Sequence, residues 1–184
     1  AFDYCDTSAP RNAAGALTLA EAQRRNLIGQ PVRHFDPSGV ATVERLDLSG
    51  QPAHLTRRLV RVDPTQDSEP ALDWNLANRE SLLEPATSET FRQFTDYDAL
   101  GRMTRLVNWH RPSINRVAVY VPRYNTRGLL QSEQLHLRAT LQMAPDGGVS
   151  FTPSAAPTHN PQAIRTIRYN AKGQKVQLEL GNGT

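Results

Sequence analysis

One spacing recurs along the chain and narrows what it can fold into: an Asp or Asn, two further residues, then a Gly. It joins Asn12 to Gly15, Asn26 to Gly29, Asp36 to Gly39, Asp47 to Gly50, Asp98 to Gly101, Asn125 to Gly128 and Asn170 to Gly173. Asp and Asn make up roughly a ninth of the residues, so chance would place the spacing before about one glycine. Seven of the 11 glycines show it. The chemistry is that of a turn. An Asp or Asn side chain in the first position accepts hydrogen bonds from the backbone just ahead, and Gly in the fourth takes positive φ without a Cβ clash. The pattern predicts type I turns closed by a glycine bulge, a common hairpin connection.

The flanks read as strands. Val117, Val119 and Val121 alternate with Ala118 and Tyr120, and Val176, Leu178 and Leu180 alternate with Gln177 and Glu179. Between Val32 and Val62 the order is strand, turn, strand from Ala41 to Leu46, turn, strand from Ala53 to Val62, which is a meander. Aromatic residues stand immediately before four of the turns, at Phe35, Tyr97, Tyr124 and Tyr169, where a ring at a strand end can cover its neighbour. The expected fold is therefore mainly β: an antiparallel meander of hairpin units with about eight to twelve strands. No helical crossovers are present for a parallel sheet. A short helix near the N-terminus is the exception, because Thr18-Leu19-Ala20-Glu21 has the form of a capping box and Asn26 to Gly29 can end a helix; a strand and turn compete with it. Leu19, Ala22 and Leu27 would share its inner side.

Residues 1–184 are read as one unit, with an N-terminal segment over 1–30 and repeat strands over 31–184. Two polar, Pro-rich stretches near 63–73 and 144–162 are expected to be long loops, where binding could reside. A start without Met and an end at Gly181-Asn182-Gly183-Thr184, just after a strand, are what an excised piece would show. Such a piece would expose strand edges and associate with itself or with the rest of its polypeptide.

No apolar run approaches the roughly 20 residues of a membrane helix, and the first ten residues do not form a signal sequence. The hydrophobic fraction of 38% is spread evenly, which argues against disorder. The net charge is +3, but basic residues are scattered among 18 acids, so a solvated surface is favoured over a nucleic-acid interface. Cys5 is alone and reads as a packing thiol. His34, His54, His110, His136 and His159 stand at no metal-ligand spacing. The acids of Asp63 to Asp73 lack the spacing of a calcium loop. Glu84 with Glu89, or Asp96 with Asp98, are weak candidates for a carboxylate pair, and Asp98 already has a turn role. The expectation is no enzyme, with no catalytic, cofactor-binding or metal residues.

The segment Tyr97-Asp98-Ala99-Leu100-Gly101-Arg102 resembles the YD repeat of Rhs proteins. Tyr169-Asn170-Ala171-Lys172-Gly173-Gln174 and Tyr124-Asn125-Thr126-Arg127-Gly128 resemble the same unit with Asn for Asp, and Phe35-Asp36-Pro37-Ser38-Gly39 is similar with Phe for Tyr. The likeness runs from about Asn26 to Thr184 and is similar to the repeat region of insecticidal toxin complexes. In that family the repeats form a strip of sheet that spirals into a hollow shell around a variable C-terminal polypeptide. The resemblance implies a segment of a curved β-sheet shell that encloses and helps deliver a toxin or effector. It implies bonds to the remainder of a large polypeptide, to its C-terminal cargo and to toxin-complex subunits, and delivery out of a bacterial cell. Asp36-Pro37-Ser38-Gly39 also has a superficial likeness to part of a self-cleaving segment of such shells, but Ala41-Thr42-Val43 follows where glycines belong, so Asp36 reads as a turn residue. The competing reading is an adhesion module, with Trp74, Trp109 and the two long loops presenting a carbohydrate or protein site. For Trp109 a core position at a strand end is favoured.

Overall fold

The computed structural model describes the chain except residues 9–10, 13–14, 62–72, 76–77, 86–89 and 145–146. It is mainly antiparallel β. In chain order the elements are β1 (Phe2–Tyr4), β2 (Arg11–Asn12), β3 (Gly15–Ala16), α1 (Leu19–Arg24), β4 (Pro31–Asp36), β5 (Gly39–Leu46), β6 (Pro52–Leu59) and β7 (Thr90–Tyr97). There follow β8 (Met103–His110), β9 (Arg116–Tyr124), β10 (Leu130–Met143), β11 (Val149–Thr152), β12 (Gln162–Tyr169) and β13 (Lys175–Leu180). Single 3₁₀ turns stand at Arg79–Leu82 and Pro157–His159.

The chain divides into two compact units, Ala1–Gln93 and Phe94–Thr184. In the first, β1, β4, β5 and β6 lie side by side in that order. Strand β5 shows why they pair this way: Val40, Thr42, Glu44 and Leu46 alternate inward, so one pleat face is buried. The two polar members are partnered, Glu44 accepting from the Thr56 hydroxyl at 3.1 Å and standing 3.7 Å from the Arg25 guanidinium.

Helix α1 forms as its sequence dictates. Thr18 accepts from the Glu21 N–H at 3.2 Å, and the Glu21 carboxylate accepts from the Thr18 N–H at 3.1 Å. The helix ends at Arg24, and Asn26 two residues on, with φ of +56°, turns the chain toward Gly29. Ala22 and Leu27 face inward with Cys5, Val32 and Leu46. Leu19, expected on the same side, points out instead, and Leu17 just before the helix packs against the core. The Cys5 thiol is fully buried in this cluster, a packing role.

In the second unit the order is β7, β8, β9, β10, β12, β13, with β11 pairing β10 as well. Phe94, Val107, Val117, Val119 and Ala139 form its core. Residues 144–162 are not a plain loop. Val149–Thr152 pairs with Thr140–Met143, and the resulting hairpin folds back so that Val149 and Phe151 pack onto the same core. An irregularity in β10 between His136 and Ala139 supplies the bend. The apolar alternation of Val149 and Phe151 with Ser150 and Thr152 is the sequence signal for this strand, masked by the surrounding prolines and glycines. Of the stretch near 63–73, all but Asp73 lies outside the described residues; the Asp73 carboxylate accepts from the Asn75 N–H at 2.9 Å.

Candidate functional site: a turn ladder locked repeat to repeat

Four turns share one geometry. In those beginning at Asp47, Asp98, Asn125 and Asn170, the N–H of the first residue donates to the carbonyl of the fifth, at 2.8 to 3.0 Å. The glycine N–H donates back to the first carbonyl at 2.9 to 3.2 Å. The first residue's Oδ1 accepts from the N–H of the third and of the fifth at 2.7 to 3.0 Å. Gly50, Gly101, Gly128 and Gly173 sit at φ of +79°, +72°, +80° and +80°. These are type I turns with a glycine bulge. The same backbone pattern closes Leu180 to Thr184, with Gly183 at φ +86°.

Asp36 and Gly39 depart from this geometry. They pair directly across a two-residue Pro37-Ser38 loop, and Gly39 takes φ +141°. The cause lies on β6 and just past its end: Arg57 grips both oxygens of Asp36 at 2.8 and 2.9 Å, and Val60, the residue after β6, donates to the Ser38 carbonyl at 3.1 Å. Burial pushes the Asp36 carboxyl up, but the Arg57 and Ser38 hydrogen bonds outweigh it and hold it below its ordinary value. The turn predicted after Asn12 lies at residues outside those described, although Asn12 and Gly15 do pair.

The turns after β7, β9 and β12 line one edge of the second unit, and hydrogen bonds lock each to the next. Tyr124, before the second turn, donates its hydroxyl to the Met103 carbonyl at 2.9 Å. Tyr169, before the third, donates to the Leu130 carbonyl at 2.7 Å. Each acceptor is the fifth residue after the Asp or Asn of the preceding turn. Arginines add a second link. The Arg102 guanidinium lies over the Tyr124 ring, 4.6 Å from its centre, while binding Asp98 at 2.6 Å. Arg127 donates to the carbonyls of Asn170 and Ala171, both at 2.9 Å. The Arg102 side-chain and backbone hydrogen bonds draw the Asp98 carboxyl below its ordinary value.

In the first unit Phe35 is the equivalent aromatic, and it is buried rather than hydroxyl-linked. Its ring is 5.2 Å from Trp74, with the guanidinium groups of Arg33 and Arg79 4.7 and 4.3 Å from its centre. Asp3 binds Arg79 at 2.6 Å, and Glu80 binds Arg58 at 3.0 Å and Arg33. Burial pushes the Glu80 carboxyl up; the Arg33 hydrogen bond and the charges of Arg33 and Arg58 bring it below its ordinary value.

The other residues singled out in the sequence are dispersed. His34 stacks on Phe2 at 4.4 Å, and His110 packs against Phe94 with its Nδ1 donating to the Asn108 carbonyl at 2.8 Å. His136 meets Asn160 at 2.8 Å and His159 meets Ser154 at 3.0 Å. His54 lies on β6 beside Arg45 of β5. Among the described residues, no three of His, Cys, Asp and Glu stand together as metal ligands would. Asp96 binds Arg105 at 2.5 Å, and Glu89 lies outside the described residues. Trp74 is buried. Trp109, for which a core position is expected, is instead 39% exposed. The Asn108 side chain accepts from the Trp109 N–H at 2.8 Å, which breaks the alternation, so that Val107 and His110 face inward and Trp109 turns out. What sequence reasoning missed is the bonding itself: the tyrosine hydroxyls and Arg127 act across strands far apart in sequence.

The fold, a strip of antiparallel hairpins, has counterparts among solved structures of Tc toxins. A Photorhabdus luminescens Tc holotoxin pore matches 98% of this chain and 6% of that one, with a TM-score of 0.63 and 21% identity. TcdB2-TccC3 without its hypervariable C-terminal region matches 90% of this chain and 6% of that one, with a TM-score of 0.62 and 23% identity. This likeness is one of fold. In sequence, the chain is similar to toxin subunit YenC1 of Yersinia entomophaga, 26% identical over 164 residues, covering 89% of this chain. Toxin subunit YenC2 of the same organism is 23% identical over 158 residues, covering 86% of this chain. The chain spans 14% of the length of these curated relatives. No protein-family model matches it.

Proposed function

We propose that the chain is a YD-repeat segment of a toxin-complex subunit, a piece of wall in a hollow shell that encloses a C-terminal toxin or effector polypeptide. The observation that carries this is the turn ladder: Tyr124 and Tyr169 reach equivalent carbonyls of the preceding unit, so units are joined by a rule that can be repeated without limit. A 27-residue step from Asp98 to Asn125 and a 45-residue step from Asn125 to Asn170 end in the same bond. The longer step accommodates the β11 hairpin without disturbing the strip. Similarity to the YenC subunits over most of the chain supports the same reading. The role is structural rather than catalytic; the partners are the remainder of the polypeptide, its cargo and other subunits of the complex, and the whole is delivered out of a bacterial cell.

Intact-mass measurement and peptide mapping of the native source protein test this. A polypeptide far larger than 20.5 kDa, with further Tyr-Asp-x-x-Gly units and a C-terminal region protected from protease, is expected. A native chain of this mass would overturn the proposal, because so few strands cannot close around a cargo. A second reading, adhesion to a carbohydrate or protein, is favoured by the exposed Trp109. Quenching of Trp109 fluorescence across a glycan panel tests it, since Trp74 is buried and serves as the internal reference.

A further inference from the structure

Within the adhesion reading, we infer that the outer face of the second unit's sheet around Ala118 is a binding site for an anionic sugar ring, a pyranose carrying a carboxylate or sulfate. Its floor comes from two matching irregularities. On β8, Val107 and His110 are both buried, so the two exposed residues between them, Asn108 and Trp109, step outward together. On β10, His136 pairs with Val119 and Ala139 with Val117, which sets Leu137 and Arg138 as a pair opposite Ala118. Two residues against one make a β-bulge, and both are exposed. Val107 pairs with Val119, so Asn108 falls beside Ala118 on the other flank. A methyl group thus separates Trp109 from Arg138, on strands two spacings, or about 10 Å, apart.

Charge selects the ligand. Val117 faces the core, so its neighbour Arg116 shares the outer face with Ala118 and lies diagonally from Arg138. Both arginines are exposed, and neither makes an ion pair among the described residues. Neighbouring like charges repel unless an anion lies between them. The unit's acids are committed elsewhere: Asp96 to Arg105, Asp98 to Arg102, Glu133 to the Tyr120 hydroxyl and Glu179 to Arg165. Asp146, the fifth, lies outside the described residues. Phe94–Thr184 holds eleven Lys and Arg against five Asp and Glu, a net charge of +6. The polar groups around Ala118 are donors: the two guanidiniums and the Asn108 Nδ2, since the Asn108 Oδ1 already accepts from the Trp109 N–H at 2.8 Å. Donors around one exposed aromatic ring match an acceptor-rich, negatively charged ring that stacks its apolar face. A nucleic-acid single strand asks for successive aromatics, and Trp109 is the one exposed aromatic among the described residues of this unit.

Methyl β-glucuronide and methyl β-glucoside differ only at C6, a carboxylate in one and a hydroxymethyl in the other. Both are titrated into the 184-residue chain with Trp109 fluorescence as the signal, beside oligothymidylate as the competing class of ligand. Trp109→Phe assigns the signal, and far-UV circular dichroism checks that each variant keeps its sheet. The glucuronide is expected to bind about tenfold more tightly than the glucoside, and Arg116→Gln or Arg138→Gln to weaken it about fivefold each, as loss of a partly exposed charge pair does. Arg168→Gln, at an exposed arginine of β12, is expected to change nothing. Added salt should erase most of the preference. Equal binding of the two sugars overturns the inference and leaves the adhesion reading standing. No binding of either sugar overturns it together with the sugar arm of that reading. Indifference to both arginine variants overturns it as well. Tighter binding of oligothymidylate, lost in the same variants, assigns the face to nucleic acid and does the same.

Discussion

The Tyr169 hydroxyl donates to the Leu130 carbonyl at 2.7 Å across 39 residues of sequence, and Tyr124 makes the equivalent bond to Met103. A strand-end tyrosine here does more than cover its neighbour: it ties one hairpin to the turn before it. Tyr124→Phe and Tyr169→Phe keep the ring and remove only this bond. Each is expected to cost about 1 kcal/mol in urea unfolding, the usual net value of a single hydrogen bond. The two acceptors lie in different repeats, so the double variant should lose about the sum.

The glycines of the repeat divide into two kinds, and substitution should separate them. A Cβ on Gly50 meets nothing within 4 Å, so Gly50→Ala is expected to cost only about 1 kcal/mol, for the positive φ. On Gly39 a Cβ would lie 2.0 Å from the Arg58 carbonyl oxygen and 2.9 Å from the Leu59 Cα. The β6 backbone would have to move, so Gly39→Ala should cost roughly 3 kcal/mol or more by adding steric displacement to strain. Equal losses in the two variants, read from thermal or urea unfolding, would refute the distinction.

Much of the fold is legible in the sequence because its information is local. The turns at Asp47, Asp98, Asn125 and Asn170 need only a side-chain acceptor and a glycine three residues on, and the capping box of Thr18 and Glu21 is equally self-contained. Failures occur where a distant strand decides the outcome. Asp36 has the same spacing, but Arg57 and the β6 backbone draw its turn into a tighter form. Trp109 departs for a local reason instead: the side chain of its neighbour Asn108 accepts from the Trp109 N–H, and the ring faces out of the strand. Of the candidate site, the ladder positions were readable and the bonds between them were not. No local pattern marks Tyr169 as facing Leu130.

The hairpin of β10 and β11 is held to the second unit's core by a few groups. Phe151 lies 5.1 Å from His136, and Arg105 donates to the Val149 carbonyl at 2.5 Å while sitting 5.8 Å from the Phe151 ring centre. Phe151→Ala removes a half-buried ring and is expected to destabilise by about 2 kcal/mol, less than for a fully buried Phe. The loss should be localised. Amide exchange at Val149–Thr152 is expected to accelerate strongly, with Val117 and Val119 of β9 keeping their protection. Uniform acceleration would mean that the hairpin is an integral part of the core rather than a cover laid on it.

Acid should loosen the carboxylate turns selectively. The folded-state carboxyls of Asp36, Glu80 and Asp98 all lie below their ordinary values, so each binds its proton more readily in the unfolded chain. Their stabilising contribution is complete above the unfolded carboxylate range, near about pH 4, and is lost as pH falls through the depressed folded values. Asn125 and Asn170 run the same turn without a titrating group. Asp98→Asn should therefore keep the turn, whose Oδ1 can still accept from the Leu100 and Arg102 amides, while losing the charged Arg102 bond. Urea unfolding between pH 2 and 7 is expected to show a shallower acid limb for Asp98→Asn than for the parent chain, with the curves converging at the acid end. Parallel curves over the whole range would show that Arg102 does not hold the Asp98 charge in the folded state.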